Sequence, residues 1–124
     1  MLKLFFDGGC RPNPGPMETA VVARGIVHHA TGIGIGSNDQ AEWRAARHAL
    51  RVARDLGATD IVLVGDSARV VAQANGAPCR SAALAAEREA FRAEAAGFAR
   101  VRIRHIGRAQ NLAGTALEKR HGRR

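Results

Sequence analysis

The stretch DIVLVGDS, residues 60–67, decides the fold. Asp60 to Val64 is a short β-branched apolar run without polar alternation, the pattern of a central parallel strand covered on both faces. Asp66-Ser67 then opens a short helix that runs to Asn75-Gly76. Upstream, Asn38 to Leu56 is rich in Ala, Leu, Arg and Glu. Ala45, Ala49, Val52, Ala53 and Leu56 recur there at helical spacing, and Gly57 ends the helix. The central strand is thus reached through a helix, so it can run parallel to the first strand, Leu2 to Phe6, which stops at Asp7-Gly8-Gly9.

Between that first strand and the helix lie a Pro- and Gly-rich turn, CRPNPGP at 10–16, and two strands of a meander, Thr19–Ala23 and Gly25–Gly36. Downstream come a helix over Ser81–Gly97, an alternating strand Val101–Ile106, a terminal helix Gln110–Lys119 and a basic HGRR tail. A meander followed by α/β units predicts an α/β fold with a mixed sheet flanked by helices. No repeat or linker divides the chain, so residues 1–120 read as one domain and 121–124 as the tail.

Composition agrees with a globular domain of 124 residues, 46 % apolar, large enough for one core without staples. The formal net charge of +8 favours a polyanionic partner, and much of it is Arg, whose planar fork suits phosphate. One Trp, four Phe and no Tyr exclude a protein that works mainly by stacking bases on aromatics. Cys10 and Cys79 form no CxxC or Cys/His cluster, which argues against zinc and for reduced thiols. No signal peptide and no apolar run of roughly 20 residues is visible, so a cytoplasmic, membrane-free protein is expected.

If the first and central strands are parallel neighbours, Asp7 and Asp66 leave the sheet at the same edge, where open α/β sheets place ligands. Glu42, in the first turns of the intervening helix, can reach the same place. Three carboxylates without basic partners repel one another, and a hard divalent cation resolves that repulsion. Two such ions roughly 4 Å apart can clamp both oxygens of a phosphodiester displacement. Singly the residues are bland. Asp-Gly is a common turn, Asp66 is placed to cap a helix, and Glu42 is an ordinary helix residue.

Four segments resemble ribonuclease HI. They are DGGCRPNPGP at 7–16, SNDQAEW at 37–43, VGDSARVVAQANG at 64–76 and HIGRAQNLAGTALEKR at 105–120, in the family's order and across nearly the whole chain. The space after Gly76 leaves no room for the extra basic helix of some members, so the chain looks like the compact subtype. The resemblance implies the ribonuclease H-like fold, a five-stranded mixed sheet in the order 3-2-1-4-5. It implies an endonuclease, dependent on Mg²⁺ or Mn²⁺ with two ions, that cuts the RNA strand of an RNA/DNA hybrid and leaves 5′-phosphate ends. Asp7, Glu42 and Asp66 would be the catalytic metal ligands. Gly8, Gly9, Cys10, Asn13, Ser37, Asn38 and Arg108 would meet the hybrid. A monomer is the default.

The chain departs from the family in several places. The usual fourth carboxylate falls on Thr115, a poor ligand, or on Gly114 with a slip of one. Asn111 and Glu118 are the candidate substitutes. A weakened hold on the second metal is therefore expected, with rescue by Thr115→Asp. Asp39 stands where a second Asn is common, and a helix-capping role is expected for it. Ala68 replaces a common Gln. His105 ends the last strand near the expected edge but does not match the family's histidine position. The competing reading is a degenerate module that binds nucleic acid without cutting it. A third is a different nuclease on the same fold, against which DGGCRPNPGP discriminates.

Overall fold

The computed structural model describes residues 1–121. A six-stranded mixed sheet is built from β1 (Leu2–Cys10), β2 (Gly15–Ala23), β3 (Ile26–Ala30), β4 (Ile35–Gly36), β5 (Asp60–Gly65) and β6 (Arg100–His105). The helices are α1 (Asn38–Asp55), α2 (Ala68–Ala74), α3 (Ala82–Ala95) and α4 (Leu112–Arg120). The strand order is β3-β2-β1-β5-β6, with β4 paired to β2. Apart from the short β4, this is the order that the resemblance implies.

Both faces of the sheet are covered, which explains the unbroken apolar runs. Leu4, Phe6 and Val21 point into a core shared with α1, α2 and α3. Phe5, Ala20 and Val22 point the other way, onto Ala113 and Leu117 of α4. Alternate residues of β1 and β2 therefore belong to different layers. Trp43 of α1 is fully buried, stands edge-on to Phe91 of α3 at 5.6 Å, and donates its Nε1 hydrogen to Gln73 Oε1 of α2. One indole thus ties three helices to the same core.

The structure corrects five details. First, β1 does not stop at Asp7: its antiparallel pairing with β2 runs on to Cys10↔Met17. Only the parallel pairing with β5 ends early, at Phe5↔Val64. Second, the stretch 25–36 is two strands, because Gly32 and Gly34 adopt left-handed backbone (φ +64° and +117°) and turn the chain between them. Third, the terminal helix starts at Leu112 rather than Gln110. Arg108–Gln110 form a 3-10 turn, and Asn111 caps α4 by accepting from Ala113 N. Fourth, Ser37, not Asp39, caps α1, its hydroxyl accepting from Gln40 N at 3.1 Å. Fifth, His121, assigned to the tail, closes α4 as its C-cap, and residues 122–124 of that tail lie outside the described residues.

Candidate active site

Asp7 and Asp66 each lie two residues beyond the last parallel pair, Phe5↔Val64, so the register delivers them to the sheet edge at one level. Asp66 is not the cap of α2. Ser67 is, with its hydroxyl accepting from Val70 N, and the Asp66 carboxylate is left for the site. Glu42 comes from the second turn of α1, on the other side of β1. Its Oε1 accepts from Gly8 N at 2.8 Å. That bond needs α1 to lie almost on β1. A Cβ at Gly8 would stand 2.1 Å from the Ala41 carbonyl oxygen, so only glycine fits there.

The three carboxylates converge: each offers an oxygen, and those oxygens all lie within 4.8 Å of one another. Burial, with the charge of Asp66 behind it, pushes Asp7 up to about 7. Burial, then the charge of Asp7, pushes Glu42 well above the usual carboxylate range. Arg108, on the 3-10 turn, pulls Asp7 back only in part. The site thus pays for gathering negative charge in a half-buried place. The donor set fits a hard divalent cation: three converging carboxylates, each offering an oxygen.

Asn111, at 0 % exposure, steadies the third carboxylate. Its Nδ2 donates to Asp66 Oδ2 and to the Phe6 carbonyl, each at 3.0 Å, while Oδ1 is spent on the α4 cap. Its placement is that of a holder of Asp66 rather than a giver of oxygen to a cation. On α4 the residue facing the aspartates is Gly114, where a Cβ would stand 3.6 Å from both Asp7 Oδ2 and Asp66 Oδ2. Thr115 is not among the described residues that line the cavity, whereas Glu118 is.

That cavity, of 540 Å³, takes in Asp7, Glu42 and Asp66 and the expected contact residues Gly8, Gly9, Cys10, Asn38 and Arg108. Asn13 and Ser37 are exposed and are not in its lining. Asn13 Oδ1 accepts from Asn38 N, and Asn38 Oδ1 accepts from Cys10 N, so this trio pins the Pro-rich turn to the start of α1. His105, on exposed β6, is not in the lining. His121 is, hydrogen-bonded to Glu18 of β2. Sequence reasoning missed Glu18, Arg11 and His121 as lining residues. No local motif marks them, since they meet only through the β1–β2 ladder and the docking of α4. Among the described residues no helix is long and apolar enough to cross a membrane.

Comparison with known proteins agrees with this fold. A family model described as reverse transcriptase-like matches residues 6–121. Ribonuclease HI of Halobacterium salinarum (strain ATCC 700922 / JCM 11081 / NRC-1) is 37 % identical over 119 residues, covering 91 % of this chain and 60 % of that protein. The chain therefore spans about three fifths of that relative's length. The crystal structure of RNase H1 from Halobacterium salinarum NRC-1 superimposes with a TM-score of 0.89 at 34 % identity, covering 98 % of each chain. The N-terminal RNase H domain of a Mycobacterium tuberculosis protein gives 0.82 at 28 % identity, covering 98 % of this chain and 96 % of that one. With that family model over most of its length, and a matching fold at 34 % identity over 98 % of each chain, the chain belongs to the ribonuclease HI family.

Proposed function

We propose that this chain is an endonuclease that hydrolyses the RNA strand of RNA/DNA hybrids, using Mg²⁺ or Mn²⁺ held by Asp7, Glu42 and Asp66. The convergence of those three carboxylates carries the proposal. A pure binding module for a polyanion gains nothing from three acidic groups gathered at its docking cavity, since they repel the ligand as well as one another.

A bound divalent cation, two in the working site, supplies neutralising charge and Lewis acidity at the scissile phosphate. The chain's own residues do the rest. The Gly8 N–H orients Glu42, and Asn111 orients Asp66. Arg108 sets positive charge at the cavity wall, where it can hold a phosphate oxygen. The backbone of Gly8, Gly9 and Cys10 lines the side on which the RNA strand and its 2′-hydroxyls would lie. Asn38, braced by Asn13, adds polar contact from the start of α1, which Ser37 caps. Water is added across the phosphodiester, leaving 5′-phosphate and 3′-hydroxyl ends.

The test is cleavage of labelled RNA/DNA hybrid, double-stranded RNA and DNA duplex with Mg²⁺, Mn²⁺ or chelator. Hybrid alone should be cut, only with metal, and Asp7→Asn should be inactive. Intact hybrid under every metal would sink the reading.

A further inference from the structure

Arg69 bonds to Asp39, which lines the cavity. Asp39, in the first turn of α1, lines the cavity beside Asn38 and Glu42. Arg69 is the second residue of α2, whose cap Ser67 lines the same cavity. Arg69 NH1 donates to Asp39 Oδ2 at 2.6 Å.

This pair is poorly suited to holding the fold. Its side chains are 67 % and 32 % exposed, and exposed ion pairs contribute little to stability. A cation in the first turn of a helix also opposes the helix dipole. Arginines of α1 are used differently: Arg44 and Arg47 lie across Glu87, and Arg47 and Arg51 across Glu94, joining α1 to α3. Arg69 instead pairs with Asp39, which lines the cavity, and is itself two-thirds exposed. A bare carboxylate there would repel a nucleic-acid backbone. A guanidinium has five N–H donors in a planar fork, so it can keep its bond to a carboxylate and still take a phosphate.

We propose that Arg69 is a backbone-phosphate contact of the bound nucleic acid, held at the cavity rim by Asp39. It rests on the hybrid-nuclease reading and adds to it a substrate-binding residue at the start of α2. Asp39 aims the fork and lowers its net charge. Arg69 in turn masks a carboxylate that would otherwise face the phosphates.

The test uses the full chain and a short fluorescein-labelled RNA/DNA hybrid in Ca²⁺, with anisotropy read across a salt series and hybrid integrity checked on a gel. Arg69→Ala should raise Kd about five- to tenfold near 0.1 M salt and make the log–log salt slope shallower by about one. Arg69→Lys should recover part of that loss, because it keeps the charge without the fork. Asp39→Asn should tighten binding about threefold. Hybrids made with methylphosphonate linkages in one strand or the other assign the contact: the Arg69→Ala effect should vanish on the strand that supplies the phosphate. A Kd within twofold of wild type with an unchanged slope in Arg69→Ala overturns the proposal, even if the melting temperature moves. Cleavage of hybrid by wild type is scored separately. Wild type that cuts hybrid while Arg69→Ala binds it normally removes only this inference. Wild type that neither binds nor cuts hybrid removes the nuclease reading and this inference with it.

Discussion

Asn111 Nδ2 sits 3.0 Å from Asp66 Oδ2, joining the cap of the last helix to the end of the central strand. The same nitrogen satisfies the Phe6 carbonyl, so one buried amide links β1, β5 and α4 behind the site. Asn111→Ala removes a helix cap and leaves a buried carbonyl without its donor, which should cost about 2–3 kcal/mol in urea unfolding. Asn111→Asp keeps the cap acceptor but sets a like charge against Asp66. Its stability should fall in chelator and recover when Mg²⁺ is added. Recovery absent in Asn111→Asp would mean that Asp66 does not share its charge with a cation.

Gly8 and Gly9 are neighbours with opposite tolerance. A Cβ at Gly8 would meet the Ala41 backbone at 2.1 Å, and backbone cannot swing away. Gly8→Ala should therefore push α1 off β1, cost on the order of 3 kcal/mol, and carry Glu42 out of the site. At Gly9 the nearest atom is Asn38 Oδ1 at 3.8 Å, an ordinary contact. Gly9→Ala should fold like wild type. Its effect should appear in hybrid KM, since Gly9 lines the cavity without supporting it. Thermal melts and steady-state cleavage of the two variants separate these roles.

Asp7 gives the site a pH signature. Its carboxyl is raised to about 7 in the fold, above the value of about 4 expected in the unfolded chain. The folded state then holds the proton more tightly, so the contribution of Asp7 to metal-free stability is full below about pH 4 and is lost as pH rises through about 7. Glu42 is shifted in the same direction and adds to the trend. Asp7→Asn should flatten that dependence and make the metal-free protein more stable at pH 8, by roughly 2 kcal/mol. The variant should gain nothing further from Mg²⁺. In wild type, calorimetric affinity for Mg²⁺ should rise across pH 6–8 as the cation displaces protons. A wild-type unfolding free energy that climbs over that range in chelator would contradict this reading.

Much of this was legible beforehand, for physical reasons. The runs Leu2–Phe6 and Asp60–Val64 are mostly apolar because helices cover both faces of the sheet, and their pairing as parallel neighbours places Asp7 and Asp66 together. Glu42 follows from its place in the second turn of the helix that joins them. Less visible were contacts fixed by tertiary docking. Nothing local to Glu18 tells that His121 will close on it from 103 residues away. Ser37 and Asp39 are both good capping residues, and only the direction of entry into α1 decides between them. The start of α4 was misplaced because Arg108–Gln110 are helical in composition. The Asn111 side chain, turned inward to Phe6, sets the true boundary.

Gly114 is the position at which this site can be strengthened. Counting along the sequence favours Thr115 for an added acid, yet the Gly114 Cα faces the aspartates, with room for a Cβ 3.6 Å from Asp7 Oδ2 and from Asp66 Oδ2. That separation is ordinary contact, so a side chain enters without moving backbone. Gly114→Asp also replaces a poor helix former, and the gain offsets part of the added repulsion. In chelator the variant should nevertheless melt lower than wild type, because a fourth negative charge joins three. With cation present the order should reverse, since affinity for hard cations rises with ligand charge. Titration calorimetry of Mn²⁺ into metal-free protein should show binding about tenfold tighter in Gly114→Asp. Thr115→Asp, one residue further around the helix, should gain less. Equal affinities in the two variants, or a larger gain for Thr115→Asp, would show that α4 presents the later residue to the metal.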